Sequence, residues 1–432
     1  MNDGPTPTRQ GLLSLLPLVL FLLFYLGGSL AIGDFYRIPM TVAFLLTSAL
    51  AVAVSKGKLN KRVAYFSSGA GDKNILLMVW IYILAGAFAA VAKQMGAVDA
   101  TVALTLRILP ANLVYVALFL AAAFVSLAIG TSVGTVVALT PIAAGVATQL
   151  GVSVPQLTAI VLGGAYFGDN LSFISDTTIA ATQTQGCRMA DKFRLNIRIV
   201  WPAFLFMIIY CAVCGYNLNA TPSLAPIDFV GVVPYATVIG LSIVGINVLV
   251  VLLFGLFLAF SIGIVSLRTT FWQSLHTLSD GISSMGELIV IALLAGGMLE
   301  LIRRNGGIRI IMSLFSKKIR GTRGAELAIA ALVALANVCT ANNTVAIITV
   351  GRIAHEISSR YHVDPRKAAS ILDTISCSVQ GILPYGVQML LAAKLSASTP
   401  LDILVHLYYP LLIAICMLVS IWIRRPKLAH VC

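Results

Sequence analysis

The sequence predicts an all-α polytopic membrane protein, built from two inverted-topology repeats with five crossings and one re-entrant hairpin each, and with broken helices at the centre. The first observation is composition, because 59% of the 432 residues are hydrophobic and only 10% are charged, a balance that excludes an ordinary soluble domain. The second is a series of apolar runs between Leu12 and Ile423, each near the ~20 residues that cross a bilayer. The third is that polar breaks in these runs recur about 210 positions later.

The formal charge of +13 does not indicate nucleic acid as a partner, because most Lys and Arg residues stand in short loops beside apolar runs. Lys and Arg in such loops indicate which side of the membrane each loop faces, because cytoplasmic loops carry an excess of them. With five crossings in each half, 24 of the 29 Lys and Arg residues fall on the cytoplasmic side, and both termini are cytoplasmic. The first apolar run, 11–32, is too long for a signal-peptide core and is predicted to be a retained helix.

The first repeat is divided into scaffold helices, 11–108, and a transport core, 109–217. The scaffold is predicted to contain membrane helices at 12–32, 38–54 and 75–91, a basic cytoplasmic loop at 56–73 and an interfacial segment at 100–108. The transport core is predicted to contain a hairpin with short apolar arms around 130–135, a broken helix around 163–178, a basic loop at 188–198 and a helix at 199–216.

The second repeat follows a linker, 218–231, which contains Pro222 and Pro226 but no Lys or Arg. Its scaffold helices are predicted at 232–323, and its hairpin and broken helix at 324–423. Gly86 recurs as Gly296, Thr135 as Thr344 and Pro155 as Pro365. Duplication explains this order better than chance similarity between two apolar halves. Interrupted helices at corresponding positions of inverted repeats are typical of secondary transporters, with the site near the bilayer midplane.

The stretch 163–178 reads GGAYFGDNLSFISDTT and is the most polar part of an otherwise apolar region. An ionisable side chain at membrane depth costs roughly 2.5–3.5 kcal/mol, so Asp169 and Asp176 require a functional reason. The glycines and hydroxyl residues favour a broken helix, which is tolerated only where it lines protein or water. A short polar loop between two helices is the alternative, but such loops elsewhere in this chain contain Lys and Arg.

Four polar segments, 130–135, 169–178, 340–344 and 373–386, are expected to converge. Their hydroxyl, amide, carbonyl and carboxylate oxygens suit alkali cations better than transition metals, and half-helix N-termini can hold an anionic group. The predicted ion- and substrate-binding residues are Thr131, Ser132, Thr135, Asp169, Asn170, Ser172, Ser175, Asp176, Thr177, Thr178, Asn342, Asn343, Thr344, Asp373, Ser376 and Gln380.

Asp169 and Asp176 are the predicted sodium ligands, and one of them is expected to bind either a sodium ion or a proton in competition. Asp373 is either the matching acid of the second half or a structural partner. The expected partners are a sodium ion, a proton and the lipid bilayer, with a small organic solute as a further candidate substrate. The sequence contains no arrangement of residues typical of catalysis, and we expect no cofactor besides these coupling ions.

Two motifs resemble the NhaC-type sodium/proton antiporter family. Residues 164–169, GAYFGD, with Leu171-Ser172 and SDTT at 175–178 resemble its signature, and GTSVGT at 130–135 resembles its hairpin tip. The resemblance covers roughly 10–423. It implies a bacterial inner-membrane carrier of the ion-transporter superfamily, with elevator-type movement and a homodimeric assembly. By this resemblance Asp169, Ser172, Ser175, Asp176 and Thr177 are site residues.

The sequence departs from that pattern near the site. Asn170 stands where the family commonly has a basic residue, and Phe173 where it commonly has proline. In the second half, Gln380 and Tyr385-Gly386 replace a serine/threonine- and tryptophan-containing pattern. Sodium/proton antiport is the first hypothesis, because Asp169 and Asp176 are expected to be buried carboxylates among oxygen ligands. Sodium-coupled transport of an amino acid or small carboxylate is the alternative, because Asn170 is neutral and the hairpin tips are rich in amides. A channel or a non-transporting receptor is the third reading, which no continuous pore-lining pattern supports.

Overall fold

The computed structural model describes residues 9–28, 39–173, 175–216, 218, 228–244, 246–307, 310, 319 and 321–424. Every regular element in these ranges is a helix. Nine helices of the described part, counting a broken helix as one, are long and apolar enough to cross a membrane, and four shorter apolar helices accompany them. The predicted class, an all-α polytopic membrane protein, is confirmed.

The described part of the first half contains ten α-helices. They are α1 (Arg9–Leu22, continued by a π-helical turn, Leu23–Gly27), α2 (Met40–Val54), α3 (Leu59–Ala70), α4 (Lys73–Gln94), α5 (Ala97–Ile108), α6 (Val114–Ile129, preceded by a 3-10 turn, Ala111–Leu113), α7 (Ser132–Leu150), α8 (Val154–Leu171), α9 (Asp176–Gln185) and α10 (Met189–Tyr216).

The described part of the second half contains α11 (Phe229–Ile243), α12 (Val248–Val265), α13 (Phe271–Ser284), α14 (Gly286–Arg304), α15 (Gly321–Thr340), α16 (Asn343–Arg360), α17 (Pro365–Ile382), α18 (Val387–Ser396), α19 (Pro400–Leu404) and α20 (Tyr408–Ile423). Since α11 begins at Phe229, the predicted linker extends too far. Most of that linker, and the ends of the chain to which the cytoplasmic prediction applies, lie outside the described residues.

The two hairpins turn where the sequence predicts. Gly130 ends α6 with φ +74°, a left-handed conformation that glycine adopts without strain. In the second hairpin Ala341 takes the same left-handed region between α15 and α16. The arms of the first hairpin are longer than expected, because Ala111–Ile129 and Ser132–Leu150 each comprise 19 residues, or ~28 Å of helix. That is enough to cross a bilayer, so the re-entrant path stays a prediction.

Both broken helices begin and end through local sequence signals. Ser153 caps α8 by accepting a hydrogen bond from the Gln156 backbone, and Asp364 caps α17 in the same way. A proline follows each cap, where its missing N–H costs nothing. Each helix then ends in extended backbone, at Ser172 and Leu383, before a short second helix starts.

Helix boundaries repeat along the chain at a fixed interval. The starts of α7, α8 and α9 recur as the starts of α16, α17 and α18, each 211 residues later. Packing is reciprocal as well, because α4 packs on α12 and α13 while α14 packs on α2 and α3. In the same way α9 packs on α16 while α18 packs on α7.

Glycine pairs form two of these reciprocal contacts. A Cβ on Gly86 of α4 would lie 2.4 Å from the Gly281 carbonyl oxygen of α13. A Cβ on Gly296 of α14 would lie 2.9 Å from the Gly69 carbonyl oxygen of α3. Such exchange of partners is the pattern of a twofold relation between two similar units. The opposite orientation of the halves across the membrane stays a prediction.

The predicted basic loop at 188–198 is wrong, because α10 starts at Met189 and runs through it. Its residues divide between the two sides of the helix. Lys192 and Asn196 are buried among the neighbouring helices, whereas Arg194 remains exposed. The stretch therefore contributes an internal charge to the protein as well as surface charges.

Candidate functional site

A cavity of about 100 Å³ lies where both hairpin tips and both helix breaks meet. It is lined by Asn74, Leu77, Met78, Ile81, Gly130, Thr131, Ser132, Val133, Asp169, Ser175, Asp176, Thr177, Asn342, Asn343, Thr344, Gln380, Val387 and Gln388. The four predicted polar segments thus converge, and α4 closes one side.

Four helix N-termini surround this cavity. They are the first turns of α7, α9, α16 and α18, which begin at Ser132, Asp176, Asn343 and Val387. Each N-terminus has unpaired N–H groups and the equivalent of about +0.5 elementary charge. The cavity therefore favours negative charge, which eases the burial of a carboxylate between these ends.

Asp169 provides the buried carboxylate of the cavity and is 4% exposed. Ser132 donates to its Oδ2 at 2.7 Å, and Ser175 donates to its Oδ1 at 2.5 Å. The Ser175 hydroxyl also lies 2.8 Å from the Thr177 hydroxyl. Among the ion pairs of the described residues none includes Asp169, so neutral donors alone compensate its charge.

Asp176 lines the same cavity but is exposed, at the first turn of α9. The expectation that both carboxylates are buried is therefore wrong for Asp176. A carboxylate at a helix N-terminus is stabilised by the helix dipole and by water, so this position requires no buried partner. Asp176 lies at the rim of the cavity, and Asp169 lies inside it.

The position equivalent to Asp169 in the second half is Gln380, 211 residues later. Gln380 donates to the Ala341 carbonyl of the second hairpin tip and to Gln388 Oε1, both at 3.0 Å. Gln388 in turn donates to the Ser132 hydroxyl at 3.0 Å. A chain of hydrogen bonds thus joins the two halves and ends on Asp169. Asp373 is not the matching acid, because it lies seven positions before Gln380 on α17.

Asp373 instead forms a buried ion pair with Lys192 of α10, and their side chains are 0% and 1% exposed. The Lys192 ammonium also donates to the Asn170 carbonyl at 2.7 Å and to the Thr178 hydroxyl at 3.0 Å. Thr178 donates to the same Asp373 carboxylate at 3.3 Å. Asp373 is thus the partner of a buried cation, and its role in transport stays a prediction.

The cavity includes most of the predicted site residues. Those that line it are Thr131, Ser132, Asp169, Ser175, Asp176, Thr177, Asn342, Asn343, Thr344 and Gln380. Those outside its lining are Thr135, Asn170, Ser172, Thr178, Asp373 and Ser376. Of this second group, Asn170, Thr178 and Asp373 surround Lys192. The Thr135 hydroxyl donates to the Thr131 carbonyl and the Ser172 hydroxyl to the Leu127 carbonyl, and both carbonyls belong to the first hairpin.

Sequence reasoning missed Lys192 and Gln388. A signal for Lys192 exists, because Lys192, Leu195, Asn196 and Ile199 share the three- and four-residue spacing of one helix face, and all four are buried. Gln388 stands two residues beyond the predicted second-half segment, in the first turn of α18. Its contact with Ser132 joins residues 256 positions apart, which no local pattern reveals.

Within the described ranges no group of three His, Cys, Asp or Glu residues is placed to hold a metal ion. The donors around Asp169 are hydroxyls, amides and backbone carbonyls, which are hard oxygen ligands. Helices that are interrupted at matching positions of two repeats, around one buried polar cavity, define a secondary transporter.

The chain belongs to the Na+/H+ antiporter family, whose model matches residues 18–216 and 219–424. It is 22% identical over 423 residues to the malate-2H(+)/Na(+)-lactate antiporter of Bacillus subtilis, covering 89% of this chain and 88% of that protein. It is 23% identical over 386 residues to the Na(+)/H(+) antiporter NhaC of Alkalihalophilus pseudofirmus, covering 81% and 82%. These matches confirm the NhaC-type resemblance.

Among solved structures, the chain is similar to the YdaH transporter of Alcanivorax borkumensis. The alignment covers 94% of this chain and 98% of that one, at 15% identity and a TM-score of 0.44.

Proposed function

We propose that this protein exchanges sodium ions for protons across the bacterial inner membrane, with Asp169 as the carboxylate that binds either ion. The observation that supports this proposal best is a buried carboxylate whose charge no cation of the described residues compensates, inside a cavity of about 100 Å³. Such a cavity holds an ion with a few waters, at ~30 Å³ of liquid volume per water. Pockets for organic ligands usually measure about 300–1,000 Å³.

Sodium and a proton satisfy Asp169 in two different ways. A sodium ion would take the carboxylate, the Ser175 and Thr177 hydroxyls and tip residues such as Thr131 and Asn342 as oxygen ligands. A proton would neutralise the carboxylate directly. Either ion removes the cost of an uncompensated buried charge, so the two compete for one position. Asp176, at the rim, would attract the entering cation and complete its coordination.

Competition of this kind produces exchange if the empty site cannot change sides. Moving a bare carboxylate through a low-dielectric region costs several kcal/mol or more, whereas the sodium-bound or protonated site is neutral. The protein would therefore cross only with an ion bound, and each sodium ion that leaves on one side must be replaced by a proton.

The movement would be of the elevator type, with a transport core of α6–α10 and α15–α20 sliding against a scaffold of α1–α5 and α11–α14. Packing supports this division, because α6–α8 contact one another closely, as do α15–α17, while α2–α4 pack mainly on α12–α14. In this arrangement the halves are inverted, the hairpins are re-entrant, both termini are cytoplasmic, and the scaffold is the natural surface for a homodimer.

The second candidate is sodium-coupled transport of a small carboxylate or amino acid. Four helix N-termini and the amides of Asn342 and Asn343 face the cavity, and such groups bind an organic carboxylate well. The similar protein from Bacillus subtilis exchanges malate and lactate by its name. The cavity would have to enlarge for such a solute, which is why ion exchange is the first proposal.

Reconstitution into proteoliposomes tests the proposal. With an imposed proton gradient, external sodium should dissipate the gradient in the intact protein and fail to do so in Asp169→Asn. Absence of any sodium response in the intact protein would refute ion exchange. A panel of carboxylates and amino acids tests the alternative, because a transported solute should raise the melting temperature only when sodium is present.

A further inference from the structure

The Lys192 ammonium occupies a cluster of three oxygens from three different helices. Asn170 contributes the backbone carbonyl at the end of α8, Thr178 a hydroxyl from α9, and Asp373 a carboxylate from α17. Hydroxyl, carbonyl and carboxylate oxygens are the ligands that an alkali cation takes in a protein. The three oxygens thus form a cation site, and the side-chain ammonium of Lys192 occupies it.

We propose that Lys192 is a built-in substitute for a second sodium ion. It neutralises Asp373 permanently and leaves Asp169 as the one buried carboxylate of the described residues without an ion pair, so that the site binds one sodium ion. This inference rests on the proposed function, because it specifies how many ions the sodium site takes.

The charges of the three buried groups at the site support a single ion. Asp169 and Asp373 are both buried and acidic, and Lys192 is buried beside Asp373 only. When both carboxylates and the ammonium are charged, the three groups sum to one negative charge, which one sodium ion cancels. Asp176 does not enter this sum, because it is exposed to solvent.

A second contact links the internal cation to the transport site. The Asn170 carbonyl belongs to the residue next to Asp169, and it lies at the C-terminal end of α8, where carbonyls lack helical partners and a cation is favoured. Lys192 donates to it at 2.7 Å and Asn196 at 3.1 Å. Lys192 therefore also fixes the helix end from which Asp169 extends, and is a positioning residue.

Stability alone does not explain this arrangement. A buried ion pair is often no more stabilising than a well-packed apolar pair of the same volume, although removing one partner is strongly destabilising because it leaves an uncompensated buried charge. Lys192 thus has a reason to be present beyond packing, and replacing both partners by neutral residues should leave a folded protein. That difference between single and double variants makes the inference testable.

The test is the number of sodium ions bound at saturation, measured by equilibrium binding of ²²Na⁺ to purified protein. The parent should bind one ion. Lys192→Met keeps the aliphatic stem but vacates the ammonium position, so a second ion should enter beside Asp373 and the count should rise to two. The double variant Lys192→Met/Asp373→Asn removes this second carboxylate and should return the count to one.

Lys367→Met is the matched control, because Lys367 is also buried on α17 but contacts the Ser420 hydroxyl. It should leave the count at one. Two ions on the parent, or one ion on a folded Lys192→Met protein, would overturn the inference. If the single variant does not fold, the double variant decides, and a count other than one overturns it. Absence of binding to the parent would instead refute the proposed sodium site itself.

Discussion

Replacing Asp169 by asparagine should abolish sodium binding without unfolding the protein. The amide has nearly the same shape as the carboxylate, so the cavity keeps its packing. It lacks the charge, however, and one of the two serine hydroxyls that now donate to Asp169, those of Ser132 and Ser175, must turn away from the new NH₂ group. The buried uncompensated charge also disappears, so the sodium-free variant should melt no lower than the sodium-free parent.

The size of the effect follows from the contact between the ion and the carboxylate. Two unit charges 4 Å apart attract by about 4 kcal/mol at an effective dielectric constant of 20, and direct coordination is shorter. Since 1.4 kcal/mol corresponds to tenfold in affinity, sodium binding should weaken by about 10³-fold or more. At 100 times the parent dissociation constant, sodium stabilises the parent by about 2.7 kcal/mol and the variant by about 0.1 kcal/mol or less.

Thermal melting with and without sodium measures this difference directly. Asp176→Asn is the matched control, because it makes the same chemical change on an exposed side chain of the same cavity. Solvent screening limits its effect to about 1 kcal/mol, so sodium should still raise its melting temperature. The reasoning fails if Asp169→Asn retains a sodium affinity within tenfold of the parent, or if Asp176→Asn loses more affinity than Asp169→Asn.

Three further predictions address the packing, the hydrogen bonds and the pH response. Gly86→Ala should lower the stability of the protein by about 1–3 kcal/mol, because its Cβ would lie 2.4 Å from a carbonyl oxygen of the facing helix. The control Gly240→Ala places its Cβ in open space and should not destabilise the protein. Thermal melting in detergent compares the two variants. Gln388→Ala removes one hydrogen bond to the first hairpin tip and should weaken sodium binding about 3–10-fold, as titration will show. Asp228→Asn tests an exterior ion pair: the Arg268 guanidinium holds the pKa of Asp228 below its ordinary value. The pair therefore stabilises the protein above pH ~4 and loses this effect as the pH falls further. Because both side chains are about one-third exposed, the substitution should lower the free energy of unfolding by less than ~1 kcal/mol at neutral pH. A pH series of melting curves should show that the difference in stability between parent and variant vanishes in acid.

The breaks in the helices could be predicted from the sequence because their signals are local. A charged residue within an apolar run is costly at membrane depth, so Asp169 marked a buried site that the structure contains. Gly130 marked a hairpin turn, because glycine adopts the left-handed conformation without strain. The register between the halves was accessible as well. Pro155 and Pro365 lie in the first turns of equivalent helices, and their interval of 210 residues places the equivalent of Asp169 within one residue of Gln380, whereas chemical likeness suggested Asp373.

The surroundings of individual charges could not be predicted, because they depend on contacts between distant segments. Lys192 stands among surface arginines in the sequence, and its partner Asp373 is 181 residues away. Asp176 lies seven residues beyond Asp169, yet one is exposed and the other buried, since the direction of the chain through the helix break decides which side chain enters the cavity.

The competition between sodium and protons at Asp169 is tested most directly by counting the protons released when sodium binds. Purified protein in weakly buffered detergent solution is titrated with sodium chloride over a series of pH values, with choline chloride as the control salt. Competition predicts proton release that grows as the starting pH falls and is absent in Asp169→Asn. Sodium binding to the parent with no proton release at any pH would contradict it.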